Sequence, residues 1–423
     1  LNIGSSTAGN ITVDGITALN SNNIASVNLT TASASSVSFS NNNSTFNSLT
    51  TNGGGASFGS GLTVTTDTGK LGLNSTSITS AGALTLAGAT GIDFGSGVTF
   101  AAGGTLSMTT TSGGITGAGA FTLTSTGDIS LTEDFTTAGA TVITADSDGN
   151  GAGDFSISAS KALSTGNSTL ALTANDVTLS GSISSGTGST TIVVSDGGTI
   201  GLGGTTGNMT ILAAELEKIT AGTLNIGNNS TGNIIVDGIT AANSNNATAV
   251  NLTTASASSV NFANNASTFR SLTVSAGNGI SQSVDLTTSS TTILDSDSNN
   301  DGSGDFNNTA GGISSGGNAL SITTNDFDLS GSINTGTGAM TLFISDGGSI
   351  GLGSTAGDMT VSGAELGKIT AGKLTIGDST TGAMTVNGIS SANSTNISTV
   401  DLSASSITFS TGGSTFQGLT STA

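Results

Sequence analysis

Apolar residues in this chain alternate with polar ones in short bursts instead of recurring at helical spacing. Val27-Asn28-Leu29 and Val37-Ser38-Phe39 each place two apolar side chains on one face and a polar one opposite. That period of two is the mark of a half-buried strand. The doublets return as Val250-Asn251-Leu252 and Val260-Asn261-Phe262, then as Val400-Asp401-Leu402 and Ile407-Thr408-Phe409. In the last set the gap between doublets is three residues shorter, yet both doublets persist. Buried strands joined by surface turns of variable length behave this way, so every doublet is expected to face inward. The separators are Gly, Asn, Ser and Asp, which tolerate the positive φ of tight turns. Only Ala213-Ala214-Glu215-Leu216-Glu217-Lys218-Ile219 reads as a turn or two of helix.

The doublets belong to a longer repeat. A segment opening at Leu1-Asn2-Ile3-Gly4 recurs at Leu224-Asn225-Ile226-Gly227 and at Leu374-Thr375-Ile376-Gly377, offsets of 223 and 150 residues. Ser195-Asp196-Gly197-Gly198-Thr199-Ile200-Gly201 likewise answers Ser345-Asp346-Gly347-Gly348-Ser349-Ile350-Gly351, again 150 later. The chain therefore divides into super-repeats 1–223, 224–373 and a shortened 374–423, with 73 additional residues at 51–123 of the first. Repetition of this kind predicts one continuous stack of similar coils over residues 1–423, an all-β solenoid. If the insertion leaves the stack in phase, it holds a whole number of coils. Lengths of 150 and 73 then fit about 18–19 residues per coil, or about 24–25, within an overall range of about 18–25. Apolar doublets about every ten residues favour the shorter coil, and about 23 coils at ~4.8 Å each predict a rod of roughly 110 Å. Asn runs such as Asn20-Ser21-Asn22-Asn23 and Asn41-Asn42-Asn43 read equally as stacked amide ladders or as polar loop filler.

Composition narrows the chemistry. The 423 residues include 65 Gly and no Cys, His, Pro, Trp or Tyr. Without His the commonest general base and zinc ligand are missing. Without Cys there is no thiolate, disulfide or iron–sulfur ligand. Six basic residues against 26 acidic ones give a formal charge of −20, which repels nucleic acid and anionic lipid. No run of 18 apolar residues predicts membrane insertion, and no signal peptide is recognisable. The chain begins inside a repeat, which suggests an internal stretch of a longer exported protein.

One constellation carries ligand chemistry. Asp146-Ser147-Asp148-Gly149-Asn150-Gly151-Ala152-Gly153-Asp154 and Asp297-Ser298-Asn299-Asn300-Asp301-Gly302-Ser303-Gly304-Asp305 share the pattern D-x-[DN]-x-[DN]-G-x-G-D, with Asp295 just ahead of the second. Oxygen ligands at positions 1, 3 and 5, a carbonyl at 7 and a glycine at 6 are what a calcium loop requires. Asp146, Asp148, Asn150 and Asp154, and Asp297, Asn299, Asp301 and Asp305, are the candidate calcium ligands. Both loops resemble those of EF-hand, dockerin and thrombospondin-type repeats through position 9. Position 12, where an EF-hand has Glu, is Ile157 or Asn308, so affinity is expected in the weak extracellular range of roughly 10⁻⁴–10⁻³ M. The competing reading is an acidic, glycine-rich turn without an ion.

Other motifs are weaker. Glu133-Asp134 and Glu215 with Glu217 are the close carboxylate pairs outside turns, and read as solvated charge before they read as a glycosidase pair. Gly201-Leu202-Gly203-Gly204 lacks the helix and Lys of a phosphate loop. Thr63-Val64-Thr65 suggests an ice-ordering array, but Thr-x-Thr does not recur at a fixed coil position. Asn10-Ile11-Thr12 and Asn28-Leu29-Thr30 match the glycosylation pattern by the abundance of Asn and Thr. Lys161, Lys218, Lys368 and Lys373 are too scattered to form a basic patch.

Short Gly-flanked strands, coils near twenty residues and phrases such as Ile219-Thr220-Ala221-Gly222-Thr223-Leu224-Asn225-Ile226-Gly227 resemble the repeat regions of filamentous-haemagglutinin-type surface proteins of Gram-negative bacteria. The resemblance implies a right-handed parallel β-helix, exported to the cell surface, serving in adhesion or as a stalk. The expected function is a non-catalytic rod of a secreted adhesin or extracellular fibre, possible as a homo-oligomer or end-to-end assembly. The alternatives are a β-helix enzyme acting on polysaccharide and an ice-binding solenoid.

Overall fold

The computed structural model describes residues 1–423. It is a β-solenoid of about 19 turns, 47% strand and 5% helix, with about 22 residues per coil. The strands pair in parallel throughout the registers that define the coils. The chain divides into two compact units, Leu1–Asp196 with Lys218–Gly222, and Gly197–Glu217 with Thr223–Ala423.

In the first unit three walls of stacked strands enclose the core. Wall one carries Val27–Thr30, Leu49–Asn52 and Leu71–Leu73 in register, so that Val27, Leu49 and Leu71 lie over one another. Wall two carries Ser36–Phe39, Gly55–Phe58 and Ser77–Ser80. Wall three carries Ser44–Phe46, Leu62–Thr66 and Leu84–Gly88. Alternation sorts each strand: in Leu62–Thr66 the apolar Leu62 and Val64 are buried, while Thr63 and Thr65 lie outward and half-buried. Phe94, Phe100, Phe121 and Phe135 gather between the walls, Phe94 and Phe121 with ring centroids 4.9 Å apart.

The second unit repeats this plan. Ala247–Thr253, Leu272–Ser275 and Thr292–Asp295 form the counterpart of wall one. Val260–Phe262, Ile280–Gln282 and Phe306–Asn308 form wall two, and Ser267–Phe269, Leu286–Thr288 and Gly312–Ser314 wall three. A helical turn stands in for the third-wall strand in the coil opening each copy: Ala18–Ser21, Ala241–Ser244 and Ser391–Ser394. Each begins at a Thr or Ser whose N–H donates to the side chain of an Asn three residues on, as Thr240 does to Asn243 at 2.9 Å. The last helical Ser of the first two turns then donates its hydroxyl to the carbonyl of the overlying strand, Ser21 to Thr45 at 3.1 Å and Ser244 to Thr268 at 3.0 Å. The helix expected at Ala213 forms over Ala213–Leu216, and Ile219 already begins a strand.

Three expectations need correction. Coils are longer than 18–19 residues, and uneven. From Val250 the register advances 22, 20, 28, 20, 34 and 26 residues to Val400, six coils in 150 residues. The long steps contain the second acidic loop, the paired strands Ile350–Gly353 and Met359–Val361 with the helix Gly363–Leu366, and the helix Ser391–Ser394. Spacing between doublets therefore mixed strand period with loop length.

The insertion is not a whole number of coils either. It contributes ten strands, from Gly55–Phe58 to Phe121–Ser125, where multiples of three would preserve phase. Ile129-Ser130-Leu131 accordingly lies on wall three of its unit, paired with Leu106 and Phe155. Its sequence counterpart Ile280-Ser281-Gln282 lies on wall two of the second unit. All three walls bury the same alternating pattern, so a strand moved by one wall still finds a core.

Third, the last doublet does not stay buried. Phe409 is 49% exposed and Ile407 half-buried, whereas Val400 and Leu402 are enclosed.

Candidate functional site: two acidic straps across the coils

The two acidic loops follow wall strands Thr141–Thr144 and Thr292–Asp295. Both turn at positions four and six, where Gly149 and Asn300 have φ of 65° and 52° and Gly151 and Gly302 of 77° and 75°. Glycine at position eight is demanded by contact: a Cβ on Gly153 or Gly304 would lie 2.5 or 2.7 Å from the Cα of Asp146 or Asp297. The loop thereby closes onto its first residue, whose side chain is buried.

That first carboxylate is occupied by protein donors. In the first loop Asn150 N–H donates to Asp146 Oδ1 at 2.9 Å and Gly151 N–H to Oδ2 at 3.0 Å. In the second, Asp301 N–H and Gly302 N–H donate to the two oxygens of Asp297 at 3.2 and 3.1 Å. A hydroxyl from two coils further on completes each set: Ser195 Oγ to Asp146 Oδ2 and Ser345 Oγ to Asp297 Oδ2, both 2.6 Å. The intervening coil is Leu170–Ala174 in one unit and Leu320–Thr324 in the other. Each loop is therefore a strap spanning three coils.

The remaining candidate ligands are divided between two tasks. Positions three and five bond to each other, Asn150 Nδ2 to Asp148 Oδ2 at 2.9 Å and Asn299 Nδ2 to Asp301 Oδ2 at 2.6 Å. Position nine turns to the next coil, where Asn175 and Asn325 donate to Asp154 and Asp305 at 2.9 Å each. Burial alone would raise the pKa of Asp146. The Ser195 hydroxyl and the N–H groups of Gly151 and Asn150 outweigh it and hold that carboxyl below its ordinary range. Asp301 is held low chiefly by the Ser303 hydroxyl.

Ser195 and Ser345 are the functional residues that the loop pattern does not contain. The sequence marks them only as members of the repeated Ser-Asp-Gly-Gly phrase, which does not reveal that each bonds to a loop 48 or 49 residues earlier.

Other acidic and basic groups also join coil to coil. Glu133 pairs with Lys161 at 2.6 Å, and Asp134 accepts the Ala162 N–H at 2.9 Å. Glu215 instead caps its own helix, accepting the Leu212 N–H at 2.9 Å within one coil. Lys218 and Lys368 donate to the carbonyls of Leu179 and Leu329 at 2.7 and 2.9 Å. Lys70 and Lys373 pair with Asp93 and Asp401. Gly201-Leu202-Gly203 lies inside a strand between Met209–Ile211 and Ile234–Asp237, not at a helix start.

Amide stacking occurs, but not within the Asn runs. Asn28 donates to Asn2, Asn74 to Asn52 and Asn251 to Asn225 at 2.8, 3.1 and 2.8 Å. Asn41 and Asn42 instead donate to Asp14, and Asn20 caps a helix. Outward Thr63 stacks on Thr85, whereas Thr65 stacks on Ala87, so the Thr-x-Thr pair ends after one coil.

No family model matches the chain, no curated protein matches it, and no solved structure matches it. No helix is long and apolar enough to cross a membrane.

Proposed function

We propose that this chain is a non-catalytic structural segment of a secreted bacterial surface adhesin or extracellular fibre. The observation that carries the reading is how the charged groups are used. Acidic loops, Glu133, Lys161, Lys218 and Lys368 each bond one coil to another, while the walls face outward with Ser, Thr and Asn. Such a surface spends its titratable groups on holding a stack together. Resemblance to the repeat regions of filamentous-haemagglutinin-type proteins supports the adhesive, exported context. Calcium in the acidic loops enters as a reinforcement of the straps, and it has to compete with the donors already on Asp146 and Asp297.

The test is electron microscopy with small-angle scattering of the purified protein, alongside a screen of acidic and neutral polysaccharides. Elongated, uniformly thick particles and no cleavage are expected. A compact particle overturns the structural reading, and cleavage of any polysaccharide restores the enzyme alternative.

A further inference from the structure

Two amide side chains stand in the apolar core of the second unit. Gln282 and Asn308 are register partners on wall two, 1% and 0% exposed. Leu131 and Ile157 are partners at the same places in the first unit, and both are buried there. A polar group taken out of water costs free energy unless its bonds are made. Here they are all made. Asn308 Nδ2 donates to Gln282 Oε1 and to the Ala310 carbonyl, each at 3.0 Å. Gln282 Nε2 donates to the carbonyls of Val284 and Gly312 at 2.8 and 3.2 Å. The Gly331 N–H, one coil further on, donates to Asn308 Oδ1. Apart from the bond between the two amides, every partner is backbone.

Those backbone groups belong to one corner of the solenoid. Between Phe155–Ile157 and Ala162–Ser164 the first unit has four residues, 158–161. Between Phe306–Asn308 and Gly312–Ser314 the second has three, 309–311. The corners correspond, since Asp134 accepts the Ala162 N–H and Asp285 the Gly312 N–H, at 2.9 and 2.8 Å. Lys161 and Gly311 likewise both accept the N–H of a Ser in the following coil, Ser182 and Ser332. In the first unit Lys161 pairs with Glu133 across the outside of the corner at 2.6 Å. That pair has no equivalent in the second. Val284 takes the place of Glu133, and Gly311 the place of Lys161. The shorter corner also bars a side chain there: Gly311 has φ of 72°, and a Cβ on it would lie 2.4 Å from the Val284 carbonyl carbon.

We propose that Gln282 and Asn308 form an internal clasp that holds the short corner of the second unit closed, the task given in the first unit to the Glu133–Lys161 ion pair outside. The same joint thus responds to salt in one unit and not in the other, because screening reaches an exposed ion pair and not buried amides. The proposal does not depend on the chain being an adhesin.

Native-state hydrogen exchange of the full chain, read by mass spectrometry, tests it. The double variant Gln282→Leu with Asn308→Ile carries the first unit's residues at both positions. If the amides served only each other, Asn308→Ile alone would lose protection and the double variant would regain it. The clasp predicts no recovery. In both variants exchange in Leu286–Thr288 and Gly312–Ser314 should rise about tenfold or more, because corner carbonyls and the Gly331 N–H lose their partners. The unmutated chain supplies a second arm that serves if the variants fail to fold. Raising the salt concentration should increase exchange in Phe135–Thr137 and Ala162–Ser164 about twofold to fivefold, the range of a screened surface pair. Leu286–Thr288 and Gly312–Ser314 should stay unchanged. Full protection in the double variant overturns the proposal. So does an equal response of the two corners to salt.

Discussion

Replacing Asp297 by Ala removes the carboxylate on which one strap hangs. Three donors lose their acceptor: the Asp301 and Gly302 N–H groups at 3.2 and 3.1 Å and the Ser345 hydroxyl at 2.6 Å. A hydrogen bond to a charged group contributes about 1.5–3 kcal/mol net. The two backbone bonds are long, and their loop is exposed enough for water to replace part of them. The Ser345 bond is short and joins coils that are not neighbours. A net loss of about 3 kcal/mol follows, against about 1–1.5 kcal/mol for Ser345→Ala, which strands no buried charge without other donors. Stacked repeats couple chiefly to their neighbours, so the loss should be local rather than shared by the whole chain. Native-state hydrogen exchange read by mass spectrometry resolves this: protection should fall in Thr292–Asp295, Leu320–Thr324 and Ala339–Ile344 and stay unchanged near Val27–Thr30. The double variant should show a coupling of about 1–2 kcal/mol between the two residues. Additivity within about 0.5 kcal/mol would refute the strap, because it would mean that Ser345 and Asp297 act independently.

Further outcomes follow from the same geometry. Asp146→Asn should destabilise the first unit at neutral pH. The folded pKa of Asp146 is lowered, so its contribution is present above the unfolded carboxyl pKa and disappears as pH falls through the folded one; urea midpoints across the acid range measure this. Asp295→Asn should do the opposite in calcium-free buffer. Burial, with the neighbouring Asp297 charge, raises the pKa of Asp295, so the ionised form opposes folding above that pKa and the variant should gain stability there, as thermal melts at two pH values would show. Phe94→Ala should cost about 3–5 kcal/mol, since the ring is fully buried among Phe100, Phe121 and Phe135, and exchange protection should fall first in the inserted strands. Gly304→Ala should loosen the second strap as Asp297→Ala does, because its Cβ has no space beside the Asp297 backbone; matching exchange patterns for the two variants would check this.

The strands were legible because one physical rule writes them. Val27-Asn28-Leu29 announces which side chains point inward, and the structure buries Val27 and Leu29 and leaves Asn28 half-exposed. Coil length was harder to read, because loops and helical turns of different size lie between identical strands. The helices Ala18–Ser21, Ala241–Ser244 and Ser391–Ser394 had a readable signal in Thr or Ser followed three residues later by Asn, but four residues carry no apolar period. The acidic loops were legible as loops that turn at glycine. Their partners Ser195 and Ser345 were not, since a contact across two coils depends on how many residues each coil contains. Asp295 sat in plain view beside its loop, yet the burial that raises its pKa is a property of packing and leaves no trace in spacing.

The ten-strand insertion has a consequence for how such chains diversify. Because any wall accepts any inward-alternating strand, gaining or losing a single strand need not break the column. It instead rotates everything downstream in that unit by a third of a turn about the axis. Length change thus doubles as an angular adjustment: a decoration such as the Asp146 loop can be re-aimed toward a new side without altering one of its own residues.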